Sequence, residues 1–240
     1  MRQLALDIGL SPAPDFESFI ALGNESVVQA LQKMLAHPAG HAPVYLWGPS
    51  GSGKTHLLRA VQAAAHRAGH PVLWFDAAVH STEALSTWGA DVAAHCQDPG
   101  PAPFMIMDQA ESWSAAQQQA AFSAFVQLSA RGALILSAGR LPPVDLPIRE
   151  DIRTRLGWGL VLSLWPLGES TLRQALQDQA QRRGLRLGDE VLDYALRRLA
   201  RDLKSLTGLL DRLDRYALQQ QRPLTVPLLK QMLDEEQGPT

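Results

Sequence analysis

The run Gly48-Pro49-Ser50-Gly51-Ser52-Gly53-Lys54-Thr55 fills the pattern G-x-x-x-x-G-K-[ST] at every position. It follows the apolar stretch Val44-Tyr45-Leu46-Trp47 and precedes a helix-length segment that runs to about Ala68 and is closed by Gly69. In that setting glycines let the main chain wrap an anion, and the N–H groups that open a helix point at it. Gly48, Ser50, Gly51, Ser52 and Gly53 would then line a phosphate cradle, Lys54 would reach the β- and γ-phosphates, and the Thr55 hydroxyl would ligate magnesium. A chance glycine-rich turn with an incidental lysine is the bland alternative, and the strand-loop-helix context weighs against it.

A magnesium-phosphate site needs a second oxygen ligand at the end of a buried strand, and Phe104-Met105-Ile106-Met107-Asp108 supplies one. A strand-capping aspartate is the alternative reading of Asp108. The next position decides what the site can do. Gln109 can orient a water but cannot take its proton, so self-hydrolysis is expected to be slow. Glu111 could substitute as the base; the sequence favours an exposed glutamate at a helix start.

These residues need a scaffold, and the apolar pattern supplies it. Val44 to Trp47, Val72 to Phe75, Phe104 to Met107, Leu134 to Leu136 and Leu160 to Leu164 read as buried strands separated by helix-length segments. Strands that alternate with helices and are apolar throughout imply a parallel sheet covered on both faces. From Asn24, a fair N-cap, Val27, Val28, Leu31, Met34 and Leu35 recur at helical spacing until Pro38. After Trp165-Pro166-Leu167 only helical patterns remain: Val191, Leu192, Ala195, Leu196 and Leu199, then Leu203, Leu206, Leu210, Leu213 and Ala217. The expected fold is α/β, a five-stranded parallel sheet flanked by helices with a C-terminal all-helical subdomain. Its divisions are an N-terminal peptide over 1–10, a linker over 11–23 that begins Ser11-Pro12-Ala13-Pro14, a nucleotide-binding core over 24–166 and helices over 167–240.

Composition bounds the function. The chain has 240 residues, 46% hydrophobic and 19% charged, with 22 basic against 24 acidic residues, which describes a globular protein with no general basic face for gripping nucleic acid. Most of its basic residues are arginine, whose planar fork suits phosphates and carboxylates. The single cysteine, Cys96, forbids an internal disulfide. Asp7 interrupts the apolar run that a signal peptide needs, and no stretch reaches the roughly 20 apolar residues of a membrane span, so a cytoplasmic protein without a membrane partner is expected. Trp47, Trp74, Trp88, Trp158 and Trp165 read as packing residues and His56 as a contact residue on the helix after the cradle. The pairs Arg182-Arg183 and Arg197-Arg198 read as solvated helix faces.

Taken together, the cradle followed by His56-Leu57-Leu58, the Asp108 strand, Leu134 to Arg140 with the prolines after it, and Arg153-Thr154-Arg155-Leu156-Gly157-Trp158-Gly159-Leu160 resemble the AAA+ family, in the initiator branch typified by DnaA. The resemblance covers about residues 16–235. It implies a sheet order of 5-1-4-3-2, ADP or ATP with magnesium as ligands, Arg155 as an arginine finger at subunit interfaces, Ser137 as the sensor at the end of the fourth strand, and a second sensor helix in which Lys204 stands where the family has arginine. DnaA continues into a helix-turn-helix module, whereas this sequence stops after one short helix, Val226 to Leu233, so no dedicated DNA-binding domain is expected. At the other end Gln3-Leu4-Ala5-Leu6-Asp7-Ile8 is similar to the peptide that bacterial proteins insert into the DNA polymerase III sliding clamp. Gln3 would meet polar groups at the pocket mouth, and Leu4, Leu6 and Ile8 would fill apolar subsites. The peptide could equally cap the core.

A nucleotide cradle with an altered catalytic position and a retained finger is better equipped to complete another subunit's site than to run its own. The resemblance thus implies a negative regulator of replication initiation that stimulates hydrolysis of DnaA-bound ATP, with DnaA and the clamp as partners and self-association left open. Two rivals remain: an autonomous ATPase that remodels, like a helicase loader, and an adaptor whose nucleotide is structural.

Overall fold

The computed structural model describes residues 14–37, 42–76, 81–98, 100–198 and 203–237, apart from the side chains of 82, 198, 204 and 237. Helix α1, Glu25–Ala36, buries Val27, Leu31 and Met34, which the helical repeat places on one face. It is followed by β1 (Val44–Trp47), α2 (Lys54–Arg67), β2 (Val72–Phe75), α3 (Thr82–Gln97) and β3 (Phe104–Met107). A 3₁₀ turn, Ala110–Ser112, leads into α4 (Ala115–Ala130) and β4 (Leu134–Gly139). A second 3₁₀ turn, Pro143–Asp145, leads into α5 (Glu150–Leu156) and β5 (Leu160–Ser163).

The five strands are parallel and ordered β2-β3-β4-β1-β5, the order implied by the resemblance read from the other edge. Alternate strand residues feed two separate cores, which is why the strands read as apolar throughout. Val44, Leu46, Phe104, Ile106, Leu134, Leu136 and Ala138 pack with α1 and α2. Tyr45, Phe75, Met105, Met107 and Ile135 pack on the other face with α3, α4 and α5. The start of α4 is fixed by a capping box in which Ser114 and Gln117 satisfy each other's main-chain N–H groups.

Several features differ from expectation because of contacts with residues distant in sequence. Strand β4 runs on through Ser137-Ala138-Gly139, small residues with little apolar signal, because their pairing with Tyr45, Leu46 and Trp47 of β1 continues. Strand β5 is an edge strand and leaves Leu160 and Val161 partly exposed. Asn24 makes no side-chain cap on α1; its amide donates to the Trp165 carbonyl (2.9 Å) and its carbonyl oxygen accepts from the Trp165 N–H (2.9 Å), closing a contact across 141 positions. Within the stretch expected as linker, Phe16 and Phe19 pack against the α1–α2 side of the sheet.

The chain divides into two compact units; the second begins at Pro166 and also takes in Ser50–Ser52 of the loop before α2. The second contains α6 (Glu169–Arg182), α7 (Asp189–Arg198), α8 (Leu203–Gln220) and α9 (Val226–Gln237). Its core gathers Val191, Leu192, Ala195 and Leu196 with Leu206, Leu210, Leu213 and Ala217, two stripes that the sequence shows at steps of three and four. Leu199 lies outside the described residues. Helix α9 extends past Leu233 through polar helix formers, which apolar periodicity does not mark. The guanidinium of Arg173 bridges Asp189 and Asp193, tying α6 to α7. No helix among the described residues is long and apolar enough to cross a membrane.

Candidate functional site

Strand β1 delivers the chain into the loop 48–53, and α2 starts immediately beyond it. Gly51 (φ 79°) and Gly53 (φ 93°) hold left-handed conformations that residues with a Cβ rarely adopt. At Gly53 the restriction is double, because an added Cβ would lie 2.6 Å from the ring of Phe19. That ring also sits 5.5 Å from His56, whose Nε2 is 2.9 Å from the Asp15 carbonyl oxygen. His56 is thus the contact residue expected, and it anchors the segment before α1 to the cradle helix.

Lys54 is the first residue of α2 and is 9% exposed. Its Nζ donates to the carbonyls of Gly48 (2.7 Å) and Pro49 (2.8 Å), which curls the ammonium over the loop's own main chain. Burial holds its pKa below the ordinary lysine value, while the charges of Glu111 and Asp108 act the other way. The Thr55 hydroxyl donates to Asp108 Oδ2 (2.6 Å), so the two expected magnesium ligands meet across the gap between α2 and β3. The other carboxylate oxygen, Oδ1, accepts from the Gln109 N–H (2.9 Å). Burial raises the Asp108 pKa, opposed by the hydrogen bonds from Thr55 and Gln109.

This donor set fits magnesium as nucleotide sites hold it. One carboxylate and one hydroxyl supply hard oxygen ligands and leave the remaining positions to phosphate and water, and no cluster of three or more His, Cys, Asp or Glu occurs among the described residues. The fit carries a cost without ligand. A carboxylate whose folded pKa is raised contributes stability below its unfolded pKa that is lost as pH rises through the folded pKa, so at neutral pH the ionised Asp108 destabilises the nucleotide-free protein. Asp108→Asn keeps partners for both neighbours, since its oxygen accepts from Gln109 and its amide donates to Thr55. At pH 7 and without nucleotide it should melt higher than the wild type, while the stabilisation gained from magnesium and ADP shrinks. A differential scanning calorimetry series with and without ligand checks both; an unchanged or lower melting point for the unliganded variant would contradict the reading.

Gln109 takes a left-handed conformation (φ 56°, ψ 45°) and is exposed, so it turns the chain from β3 into the 3₁₀ turn. Glu111 departs from expectation: it is half-buried, its Oε2 accepts from the Arg140 N–H at the end of β4 (3.0 Å), and its charge acts on Lys54 and Tyr45. A glutamate three residues past the strand aspartate was the available signal. Ser137 departs as well. Strand β4 ends two residues later, at Gly139, and the Ser137 hydroxyl is buried in the sheet, donating to the Val44 carbonyl of β1 (3.4 Å). Its side chain shares a face with Tyr45 and Met107, its register partners on the neighbouring strands.

Arg155 lies in the last turn of α5, with its guanidinium 5.1 Å from the centre of the Trp158 ring. Trp158 is 66% exposed and Trp165 nearly as much, so neither is the packing residue expected, unlike Trp88, which is buried against Phe75. Trp74 is half-buried under the Arg59 guanidinium, 3.6 Å from its ring centre. The structure thus brings Lys54, Thr55, Asp108 and, unexpectedly, Glu111 together, and places Arg155 on a separate helix. Gln3, Leu4, Leu6 and Ile8 lie outside the described residues, as does the side chain of Lys204, which belongs to α8.

Comparison with known proteins agrees with this geometry. The family model of the bacterial DnaA ATPase domain matches residues 10–163, and that of the Hda lid domain matches residues 169–233. Among solved structures, domain III of DnaA from Thermotoga maritima superposes with a TM-score of 0.73 at 20% identity, covering 96% of this chain and 100% of that one. DnaA from Aquifex aeolicus with bound AMPPCP gives 0.68 at 22% identity, covering 85% of this chain and 66% of that one. The RuvB Holliday junction branch migration motor of Thermotoga maritima gives 0.65 at 16% identity, covering 92% and 71%. At these identities the structural likeness shows the fold alone, and nucleotide binding is supported by the match to the DnaA ATPase-domain model.

Proposed function

We propose that this chain, which belongs to the bacterial DnaA ATPase-domain family and carries an Hda-like lid, is a regulatory relative that inactivates DnaA by stimulating hydrolysis of DnaA-bound ATP. The observation that carries the reading is the separation of parts. Lys54, Thr55 and Asp108 form a complete cradle beside an exposed Gln109, while Arg155 stands on α5 against an exposed indole. A guanidinium placed there serves a γ-phosphate presented by a neighbouring protein. Thr55 and Asp108 would hold magnesium, which offsets charge on the β- and γ-phosphates of ADP or ATP. Gly48, Ser50, Gly51, Ser52 and Gly53 would wrap the phosphates, and Lys204 would add a cation from the lid without arginine's fork. The chain's own turnover is slow because Gln109 accepts no proton.

The sliding clamp is the second partner in this reading, engaged by Gln3, Leu4, Leu6 and Ile8 in the cytoplasm. A short tethered peptide binds through a few anchors and contributes little to folding. Gln3→Ala with Leu4→Ala should therefore weaken clamp binding by at least about 30-fold, equivalent to roughly 2 kcal/mol, and leave the melting temperature within about a degree of the wild type. Surface plasmon resonance and calorimetry on one preparation test this; clamp affinity that survives the double substitution, or a sharply lower melting temperature, would show that the peptide is part of the core and not the clamp contact.

One assay separates the readings of the whole protein: DnaA-dependent ATP hydrolysis with and without clamp loaded on DNA. The regulator requires both DnaA and the loaded clamp for fast turnover. Brisk hydrolysis without DnaA would instead indicate an autonomous remodeller, and binding without any stimulation would indicate an adaptor.

A further inference from the structure

The end of β4 is held from two sides. The Glu111 carboxylate accepts from the Arg140 N–H (3.0 Å), and the Tyr45 hydroxyl donates to the next carbonyl, that of Leu141 (3.0 Å). Both groups converge on Gly139, where an added Cβ would run into the Tyr45 hydroxyl and lie 3.0 Å from Glu111 Oε2. Each tether starts near the cradle in sequence, because Tyr45 precedes Gly48 on β1 and Glu111 follows Asp108 after β3. Since Glu111 Oε2 is engaged by a main-chain N–H, the side chain is placed as a strut.

What the strut supports is the segment leading to the finger. Beyond Leu141 the chain makes the 3₁₀ turn Pro143–Asp145 and buries Leu146. It enters α5 with the Arg149 N–H donating to Gln118 of α4 (2.9 Å). At the other end of α5 an added Cβ on Gly157 would lie 3.3 Å from the Pro143 Cβ, so the turn and the helix C-terminus are in close contact. Arg155 sits in the last turn before that C-terminus, next to the Trp158 ring. A force on Arg140 thus reaches the finger through packed parts.

We propose that Glu111 is a positioning residue for Arg155: by holding the end of β4 it sets the pose in which α5 presents the guanidinium. The same carboxylate favours the charged form of Lys54, so the cradle and the finger segment share one side chain. This rests on the finger role given above, and the test is arranged so that the two can fail separately.

Glu111→Ala and Glu111→Gln are compared in the full chain with ADP bound, by amide hydrogen exchange and by Trp158 emission, the latter taken as the difference from the same variants carrying Trp158→Phe. Glu111→Ala should speed exchange at Arg140 and across 150–157 by about tenfold and shift the Trp158 signal, whereas Glu111→Gln, whose amide oxygen still accepts from the Arg140 N–H, should stay within about twofold of the wild type. Unchanged protection in the alanine variant, acceleration that stops before residue 150, or a glutamine variant as perturbed as alanine would each overturn the proposal. In the DnaA assay the alanine variant should lose stimulation and the glutamine variant keep it. If Arg155→Ala itself retains full stimulation, the finger reading fails while the exchange result still decides whether Glu111 positions α5.

Discussion

Arg155→Ala is expected to lower the stimulation of DnaA-bound ATP hydrolysis by roughly 10³-fold or more, the scale on which an arginine supplied in trans accelerates phosphoryl transfer. The expectation depends on where the residue sits. Arg155 is half-buried in the last turn of a seven-residue helix, stacked 5.1 Å from the ring of an exposed tryptophan. Losing the guanidinium removes a planar fork that can bind two oxygens at once, and Arg153, the other arginine of that turn, stands two residues away and so on a different side of the helix. Arg155→Lys should recover little, because a point charge on a flexible stem cannot reproduce the fork. The chain's own affinity for ADP should change less than threefold. Single-turnover hydrolysis by DnaA with loaded clamp gives the rate, and calorimetry gives the affinity. Stimulation at the wild-type level would show that Arg155 is no finger, and failure of the variant to associate with DnaA at all would make it an interface anchor.

Lys54→Ala should raise the dissociation constant for ADP at least about 100-fold, since two charge-assisted hydrogen bonds to phosphate oxygens are each worth about 1.5–3 kcal/mol. In the absence of ligand the ammonium is satisfied by the Gly48 and Pro49 carbonyls and faces the charges of Asp108 and Glu111. Its removal leaves two carbonyls without that donor and two acids without that cation, so the nucleotide site loses attraction and gains repulsion together. Isothermal titration with ADP and magnesium measures the change. Binding within threefold of the wild type would mean that the loop N–H groups alone carry the affinity.

The sequence made the fold legible because parallel strands buried on both faces must be apolar at every position, and all five runs stand out between helix-length segments. The lid was legible for a different reason: Leu203, Leu206, Leu210, Leu213 and Ala217 mark the buried stripe of a single long helix. What escaped depends on contacts between residues distant in sequence. Asn24 looks like a cap by type and position, yet its partner stands 141 residues away. The resemblance put Ser137 at a strand end, whereas pairing with β1 carries the strand to Gly139. Glu111 reads as an exposed glutamate at a helix start, yet it is half-buried and accepts from the Arg140 N–H. Trp158 and Trp165 show the opposite failure, since residue type says burial and the edge of the sheet says otherwise.

The bond between Asn24 and Trp165 has a topological consequence. One side chain grips both main-chain polar groups of the residue that ends the α/β unit, and it does so from the position just before the unit's first helix. The start of the unit's first helix and the end of its last strand therefore meet, and the elements between them form a nearly closed ring of chain with a non-covalent seam. In such a ring the order of elements along the sequence is separable from their arrangement in space, which is the property that circular permutation requires.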